Sequence, residues 1–188
     1  KIINFKTAVA DIPSNATLAI VGVIGWVVPD KLLQTLGERF LETGTPENLT
    51  LYVPCFSGDN GEIKGIDNLM HDGMTRRIIT GSFINPPDPL TGERPRTMQQ
   101  VNANKIEAYT FHIGVMMHWL REIARRSEGY MTDVGIGTFV DPDFGGGKVT
   151  ACTTENIVEK ITFRGKEHLF FPSLKLDYGI IRATASDK

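Results

Sequence analysis

Thr17-Leu-Ala-Ile-Val-Gly-Val-Ile-Gly-Trp-Val-Val-Pro29 is the stretch that decides the architecture. Thr17 to Val23 is a continuous apolar run, the pattern of a parallel strand covered on both faces. The turn Gly22-Val23-Ile24-Gly25 follows it, and then Leu32, Leu33, Leu36, Phe40 and Leu41 recur on one helix face. Pro29 suits the first turn of that helix, where its missing N–H would have no partner, and Gly44 and Pro46 end it. Strand, glycine turn and helix N-terminus in succession predict outward-facing backbone N–H groups, a site for a carbonyl oxygen or an anion. The spacing is Gly-x-x-Gly with no third glycine, so it is not the dinucleotide fingerprint.

The same alternation recurs along the chain. Asn48 to Val53 reads as a second strand, followed by the polar loop Ser57 to Gly61. Ile66 to Thr75 reads as a short helix, Arg77 to Phe83 as a third strand and Lys105 to Thr110 as a fourth. Between them Pro86, Pro87, Pro89, Pro95 and Gly92 exclude regular structure from much of Asn85–Gln100, which reads as a surface loop or insertion. The strongest helix runs from Gly114 to Arg126, with Val115, Met116, Trp119, Leu120, Ile123 and Ala124 on one face and Gly129 closing it. Met116, Met117 and Trp119 sit at helical spacing and are assigned to the core rather than to a cofactor. Thr153 is expected to cap a short helix over Thr154–Lys160, Phe163 to Lys166 to form a hairpin-like turn between two short strands, and Leu176 to Ala183 to be a last strand. Repeated strand–helix units predict one α/β domain over 1–188, built on a mostly parallel sheet flanked by helices. The chain stops at Asp187-Lys188, just after a strand, and is expected to be one half of something larger.

The second informative block is Val134-Gly-Ile-Gly-Thr-Phe-Val-Asp-Pro-Asp-Phe-Gly-Gly-Gly-Lys148. It reads as a buried strand ending at Gly135–Gly137, a turn opened by Asp141-Pro142, and three glycines that allow positive φ or close approach to another group. A plain surface loop is the simpler account of Gly145, Gly146 and Gly147. Its position directly after a strand end, where open α/β sheets place their ligands, favours a site.

Composition bounds the function. The 188 residues carry Lys+Arg 20 and Asp+Glu 22, for a net charge of -2, so neither nucleic acid nor an anionic membrane is indicated as a partner. Cys55 and Cys152 are far apart and form no Cys-x-x-Cys, which fits a reduced, cytoplasmic setting. The longest apolar run, Leu18 to Val28, is too short to span a bilayer, and no secretory signal is visible in a chain that begins at Lys1. His71, His112, His118 and His168 are dispersed and outside any metal-ligand motif. Gly145-Gly-Gly-Lys148 is not a phosphate loop, because Pro142 replaces its first glycine and Val149 its Ser/Thr. Ser57 is not in Gly-x-Ser-x-Gly, and Cys55, a lone cysteine at a strand end, reads as a buried thiol rather than a nucleophile. What remains is backbone donors and pockets, suited to binding or to stabilising an oxyanion.

With these residues laid out, the chain resembles the N-terminal (α-type) half of a family I CoA-transferase, acetate/propionate branch. The likeness runs through Arg39–Thr50, His71–Gly81, Lys105–Tyr109, Val134–Lys148 and Lys166–Phe171. It implies the family's Rossmann-type fold and an enzyme of two halves, fused or as α and β subunits, that moves CoA from an acyl-CoA to a carboxylate. A glutamate of the other half would attack the thioester, so no catalytic residue is expected in this chain. Coenzyme A would be a substrate, with no permanently bound cofactor and no metal. By the same resemblance, Gly22, Val23, Ile24, Gly25, His112, Ile113, Gly114, Gly135, Gly137, Thr138 and Phe139 would wall the acyl and carboxylate pocket, with Gly145, Gly146, Gly147 and Lys148 in a loop beside it.

Two departures stand out. Members similar to this chain carry Gln-Gly at the start of the long helix, where this chain has Ile113-Gly114 preceded by His112. Losing the amide makes that wall more apolar, which suits a bulkier acyl group than acetate or propionate, or thioester hydrolysis. The Asn85–Gln100 segment is also longer than in the family, as a lid or a subunit contact would be. The alternatives are a CoA-thioester hydrolase or lyase of the same fold and a non-catalytic CoA-ester-binding subunit.

Overall fold

A computed structural model describes residues 2–58, 63–83 and 87–185. The end of the Ser57–Gly61 loop, the start of the Asn85–Gln100 segment and the terminal Asp187-Lys188 lie outside the described residues. Elements follow in the order α1 (Phe5–Ala10), β1 (Thr17–Ile20), α2 (Asp30–Thr43), β2 (Leu49–Val53), β3 (Thr75–Thr80), α3 (Arg96–Asn102), β4 (Glu107–Thr110), α4 (Ile113–Ala124), β5 (Gly129–Thr132), β6 (Glu159–Phe163), β7 (Lys166–Pro172) and β8 (Tyr178–Ile180). Five strands form one sheet in the order β4-β3-β2-β1-β8, and every neighbour pair is parallel. The α/β architecture with a parallel sheet is therefore as the strand–helix alternation requires.

Strand β2 is buried at every position, and its side chains divide by the two-residue period of a pleat. Leu49, Leu51 and Val53 join Leu18, Ile20, Leu33, Leu36 and Ile78 in a core on the α2 face. Tyr52, Ile79 and Tyr109 face the other way, into a core with Phe111, Val115, Trp119, Leu169 and Phe171. Each fully buried side chain of this kind contributes about 1.5–3 kcal/mol. Helix α2 starts after Pro29, which is its N-cap rather than a residue of its first turn, and ends at Gly44 in the left-handed region (φ 71).

The second face is closed differently from expectation. Alongside α4 it is covered by a three-stranded antiparallel sheet, β5-β7-β6, of which the sequence pattern announced the β6–β7 hairpin but neither β5 nor the joining of the three strands. The strand expected at Gly135–Gly137 is absent: β5 ends at Thr132, and Gly135 (φ 104) and Gly137 (φ 72) belong to consecutive turns. No helix occupies Thr154–Lys160, whose last residues open β6. The Thr153 hydroxyl instead accepts the Ala108 amide at 2.8 Å. The hairpin turn at Phe163–Lys166 is present, with Arg164 (φ 50) and Gly165 (φ 76) at its tip.

Other boundaries shift for local reasons. In place of the expected Ile66–Thr75 helix there is a 3₁₀ turn over Gly65–Leu69, and Thr75 already belongs to β3. Arg96–Gln100 is helical despite the prolines before it, because buried Asp67 accepts from the amides of Arg96 (3.2 Å) and Thr97 (3.0 Å) and so caps α3 from outside. In α4, Met117 and Ala124 face solvent rather than the core, and Arg126 (φ 59), not Gly129, reverses the chain. Strand β8 is confined to Tyr178–Ile180, shorter than the expected Leu176–Ala183.

Strand β4 is an edge, and its free row of backbone groups is taken by the segment that follows the glycine loop. Thr110 donates to Gly147 O (2.8 Å), Val149 donates to Ala108 O (2.8 Å), and the Thr150 and Thr153 hydroxyls accept from the Ala108 amide. This docking requires Gly147: a Cβ there would lie 2.5 Å from the Phe111 ring and 2.8 Å from Thr110 O, at a φ of +73. The loop is held from inside by Asp141, which is fully buried. Its carboxylate accepts from the Gly137 amide (2.9 Å) and the Asp143 amide (3.1 Å) and pairs with Lys160 of β6 (3.3 Å). Its carbonyl receives Phe144 N (2.9 Å) and Gly146 N (3.0 Å). The Gly137 amide, then the Asp143 amide and Lys160, hold the Asp141 carboxyl below the usual carboxylate range.

Gly147→Ala should cost about 2–5 kcal/mol of unfolding free energy, from backbone strain plus overpacking. Gly165→Ala, with the same sign of φ and nothing within 4 Å, should cost about 1 kcal/mol. Urea unfolding of both variants checks the difference. Because the folded pKa of Asp141 is depressed, its contribution is fully present above the ordinary aspartate range, near pH 4, and fades as pH falls further. Wild type should lose more stability than Asp141→Asn between about pH 5 and pH 2, measured by urea midpoints across that range.

Candidate active site at the strand C-termini

The carboxyl ends of four parallel strands converge on one edge of the sheet. After β1 comes Gly22, after β2 Pro54–Ser57, after β3 Gly81, and after β4 Phe111–Gly114. Such an edge is where open parallel sheets bind ligands.

At the β1 end, Val23 to Trp26 form a tight turn closed by Val23 N to Trp26 O (3.0 Å) and Trp26 N to Val23 O (2.8 Å). Ile24 is laced to the chain after β2, donating to Phe56 O (2.7 Å) and accepting from Gly58 N (3.0 Å). Val23 and Ile24 therefore spend their amides inside the protein, contrary to the expectation that the Gly22–Gly25 donors point outward. The left-handed positions are Ile24 (φ 53) and Val27 (φ 55), not the two glycines. Gly22 is needed for space, since a Cβ would sit 2.8 Å from the Ser57 hydroxyl. That hydroxyl is fully buried and has no hydrogen-bond partner, a feature no sequence motif signalled. The turn carries Val23, Ile24, Trp26 and Val27 outward, with Trp26 78% exposed.

At the β4 end, His112 is the N-cap of α4, and its side chain does not cap the helix. Its Cε1 lies 3.4 Å from where a Cβ of Gly135 would stand, and its ring is 6.0 Å from that of Phe139. Its Nδ1 is buried and unpartnered. Ile113 and Phe139 are both partly exposed, and Met117 continues the apolar face of Ile113 one turn further on. Ile113 seats in the space that Gly81 leaves: a Cβ at Gly81 would be 2.6 Å from Ile113 Cγ1 and 2.3 Å from Pro54 O. Gly81 is thus a site-shaping residue that the strand pattern alone did not distinguish. Gly114 is exposed, with nothing within 4 Å of where a Cβ would stand, and the first amides of this 12-residue helix have no intrahelical partners. Thr138 returns its hydroxyl to Gly135 O (2.7 Å) and tightens the turn.

The structure thus brings His112, Ile113, Gly114, Gly135, Thr138 and Phe139 together, while the Gly22–Gly25 turn lies at the other end of the edge. Strands β1 and β4 are separated by three inter-strand steps, about 14 Å. Gly145, Gly146 and Gly147 serve the loop's own conformation and its docking on β4. Lys148 is committed to Asn156 Oδ1 (2.6 Å) rather than to the edge. Cys55, at the end of β2, is half-buried. Among the described residues no group of three or more His, Cys, Asp or Glu could hold a metal ion, and no helix is long and apolar enough to cross a membrane.

The coenzyme A transferase family model matches residues 2–188. Acetate CoA-transferase YdiF of Escherichia coli strain K12 is 33% identical over 187 residues, 99% of this chain and 34% of that protein. Caffeate CoA-transferase of Acetobacterium woodii is 36% identical over 190 residues, 100% of this chain and again 34% of the relative. The apoenzyme of acyl-CoA transferase YdiF from Escherichia coli O157:H7 superposes with a TM-score of 0.85 at 32% identity, covering 97% of this chain and 34% of that one. The chain therefore spans about a third of the length of the relatives it matches, and CoA is a substrate of the family they represent. By this match over its whole length, the chain belongs to the coenzyme A transferase family.

Proposed function

We propose that this chain is the acyl- and carboxylate-binding half of a CoA-transferase whose catalytic glutamate lies in a second half, fused or separate. Similarity along the whole chain, at only a third of the relatives' length, is the observation that carries this assignment. The glutamate carboxylate attacks the thioester carbonyl, CoA leaves as its thiolate, and a mixed acyl–glutamyl anhydride forms. The thiolate then attacks the glutamyl carbonyl, releasing the first acid and leaving a glutamyl-CoA thioester for the incoming carboxylate. The contribution of this chain is the pocket wall opposite that glutamate: the Gly22–Gly25 turn, His112–Gly114 and Gly135–Phe139.

The wall is apolar where it is exposed. Val23, Ile24 and Trp26 project at one end and Ile113, Met117 and Phe139 at the other. Ile113 offers no hydrogen bond, so an acyl group bulkier than acetate gains buried area there without leaving a polar partner unmet. A substrate of the size of caffeate, named for the caffeate CoA-transferase relative, fits this character better than acetate.

With both halves present, acyl-CoA added without acceptor should leave CoA on a glutamate outside residues 1–188, released by hydroxylamine and seen by mass spectrometry. An adduct inside this chain, or sustained turnover with no acceptor acid, would point to hydrolysis or another nucleophile. Ile113→Gln should shift the ratio of kcat/KM for short over bulky acyl-CoA upward by about tenfold, the worth of one hydrogen bond or one to two methylenes. An unchanged ratio across a chain-length series removes Ile113 from the acyl pocket.

A further inference from the structure

We infer that His112 contacts the substrate directly, donating a hydrogen bond from Nε2 to a carboxylate oxygen at the C-terminal edge of the sheet. This rests on the assignment of that edge as the acyl and carboxylate site. Sequence position alone says nothing of which ring nitrogen is used. The packing does.

Its own backbone and two neighbours place the ring. Its backbone is the N-cap of α4 (φ -61, ψ 130), which sets the direction of Cβ. Gly135, at φ 104, lies beside the ring: a Cβ there would stand 3.4 Å from His112 Cε1. Phe139 lies against the ring at 6.0 Å, inclined by 38°. That turn is itself held by the Asp141 carboxylate through the Gly137 amide (2.9 Å). A flip about Cβ–Cγ would exchange Nδ1 with Cδ2 and Nε2 with Cε1, and a half-buried ring between these neighbours has little room for it.

Those nitrogens sit in unequal surroundings. Nδ1 is buried and meets neither donor nor acceptor, whereas Nε2 is neither buried without a partner nor bonded within the described protein. Nε2 is therefore the nitrogen open to the edge. A neutral imidazole carries one proton, and an orphaned buried N–H is rarer in folded proteins than an orphaned acceptor. The proton consequently sits on Nε2, and the ring presents a fixed N–H donor outward. Beside it the uncapped first turn of α4 favours negative charge, so the natural acceptor is an anionic oxygen. In a site that takes acids as acceptors, that oxygen belongs to the carboxylate.

The tautomer and the contact can be read separately. In the assembled enzyme with ¹⁵N-labelled histidine, the His112 signals, assigned by their loss in His112→Gln, should show the Nε2–H tautomer and move when acetate or a bulkier carboxylate is added. In steady-state assays His112→Gln, whose amide N–H reaches the place of Nε2, should keep KM for the acceptor acid within about threefold of wild type. His112→Asn and His112→Leu should raise it about tenfold, the loss of one hydrogen bond to a charged group. An Nδ1–H tautomer, or Asn and Leu variants equal to wild type in acceptor KM, overturns the inference. If wild type moves no CoA at all, the transferase assignment fails, and the ¹⁵N response to carboxylate still decides His112: movement supports the contact and its absence refutes it.

Discussion

The free edge of β4 is the constraint on which the rest of the molecule depends. An edge strand in a buried parallel sheet leaves a row of N–H and C=O groups that must find partners or remain in water. Here the partners come from forty residues downstream, through Gly147, Val149, Thr150 and Thr153. Closing the edge in this way pulls the Val134–Lys148 block up against the end of β4, with the Phe111 ring filling the space beside Gly147. The meeting of Gly135 and Phe139 with His112 is thus a consequence of backbone satisfaction. Asp141 and Lys160 add the second anchor, tying the same turns to the antiparallel sheet.

The antiparallel sheet in turn explains why the second face of the parallel sheet can carry such a large aromatic core. Trp119, Phe111 and Phe171 pack edge-on or tilted at centroid distances of 5.2 to 6.0 Å. Tyr52 and Trp119 keep their polar atoms bonded, to Met116 O (2.7 Å) and Pro172 O (2.9 Å), so burying them leaves no orphan. The Pro172 carbonyl ends β7, so one hydrogen bond links α4 to that sheet where the two layers meet. Arg77 continues the pattern on β3, paired with Glu107 on β4 and Glu155 in the downstream segment.

How much of this was legible in the sequence depends on whether the deciding contact is local. β1 to β4, α2 and α4 were legible because each buries a continuous or periodic apolar set, and their errors are of one to three residues at the ends. The β6–β7 hairpin was legible from its turn at Phe163–Lys166, but β5 was not, because it is four residues long, begins at a glycine and shows no clean alternation. Gly135 and Gly137 interleave with Val134 and Ile136 as a strand would, yet their positive φ values commit them to turns. Thr153 has the composition of a cap and spends its hydroxyl on Ala108, 45 residues away. Arg96–Asn102 is capped by Asp67 from another element, which no pattern inside the segment reveals. At the candidate site the strand-end positions could be placed from sequence, but the contact of Gly135 with His112 could not.

The glycines at this edge suggest an open cradle, yet the space they leave is already filled. Ser57 Oγ occupies the place of a Gly22 side chain, Ile113 Cγ1 that of Gly81, and Leu169 Cδ1 stands 3.1 Å from that of Gly135. Missing side chains on one strand end therefore let a neighbour's side chain settle, and the neighbour becomes the surface. The backbone strain follows the same logic. Ile24 and Val27 are β-branched and left-handed, a conformation costing about 1–3 kcal/mol each. At Ile24 two hydrogen bonds to the chain after β2 offset that cost. What reaches the exterior is Val23, Trp26, Ile113 and Phe139 rather than bare amides. The exposed surface of such an edge is thus made of side chains that can vary without disturbing the glycines beneath them.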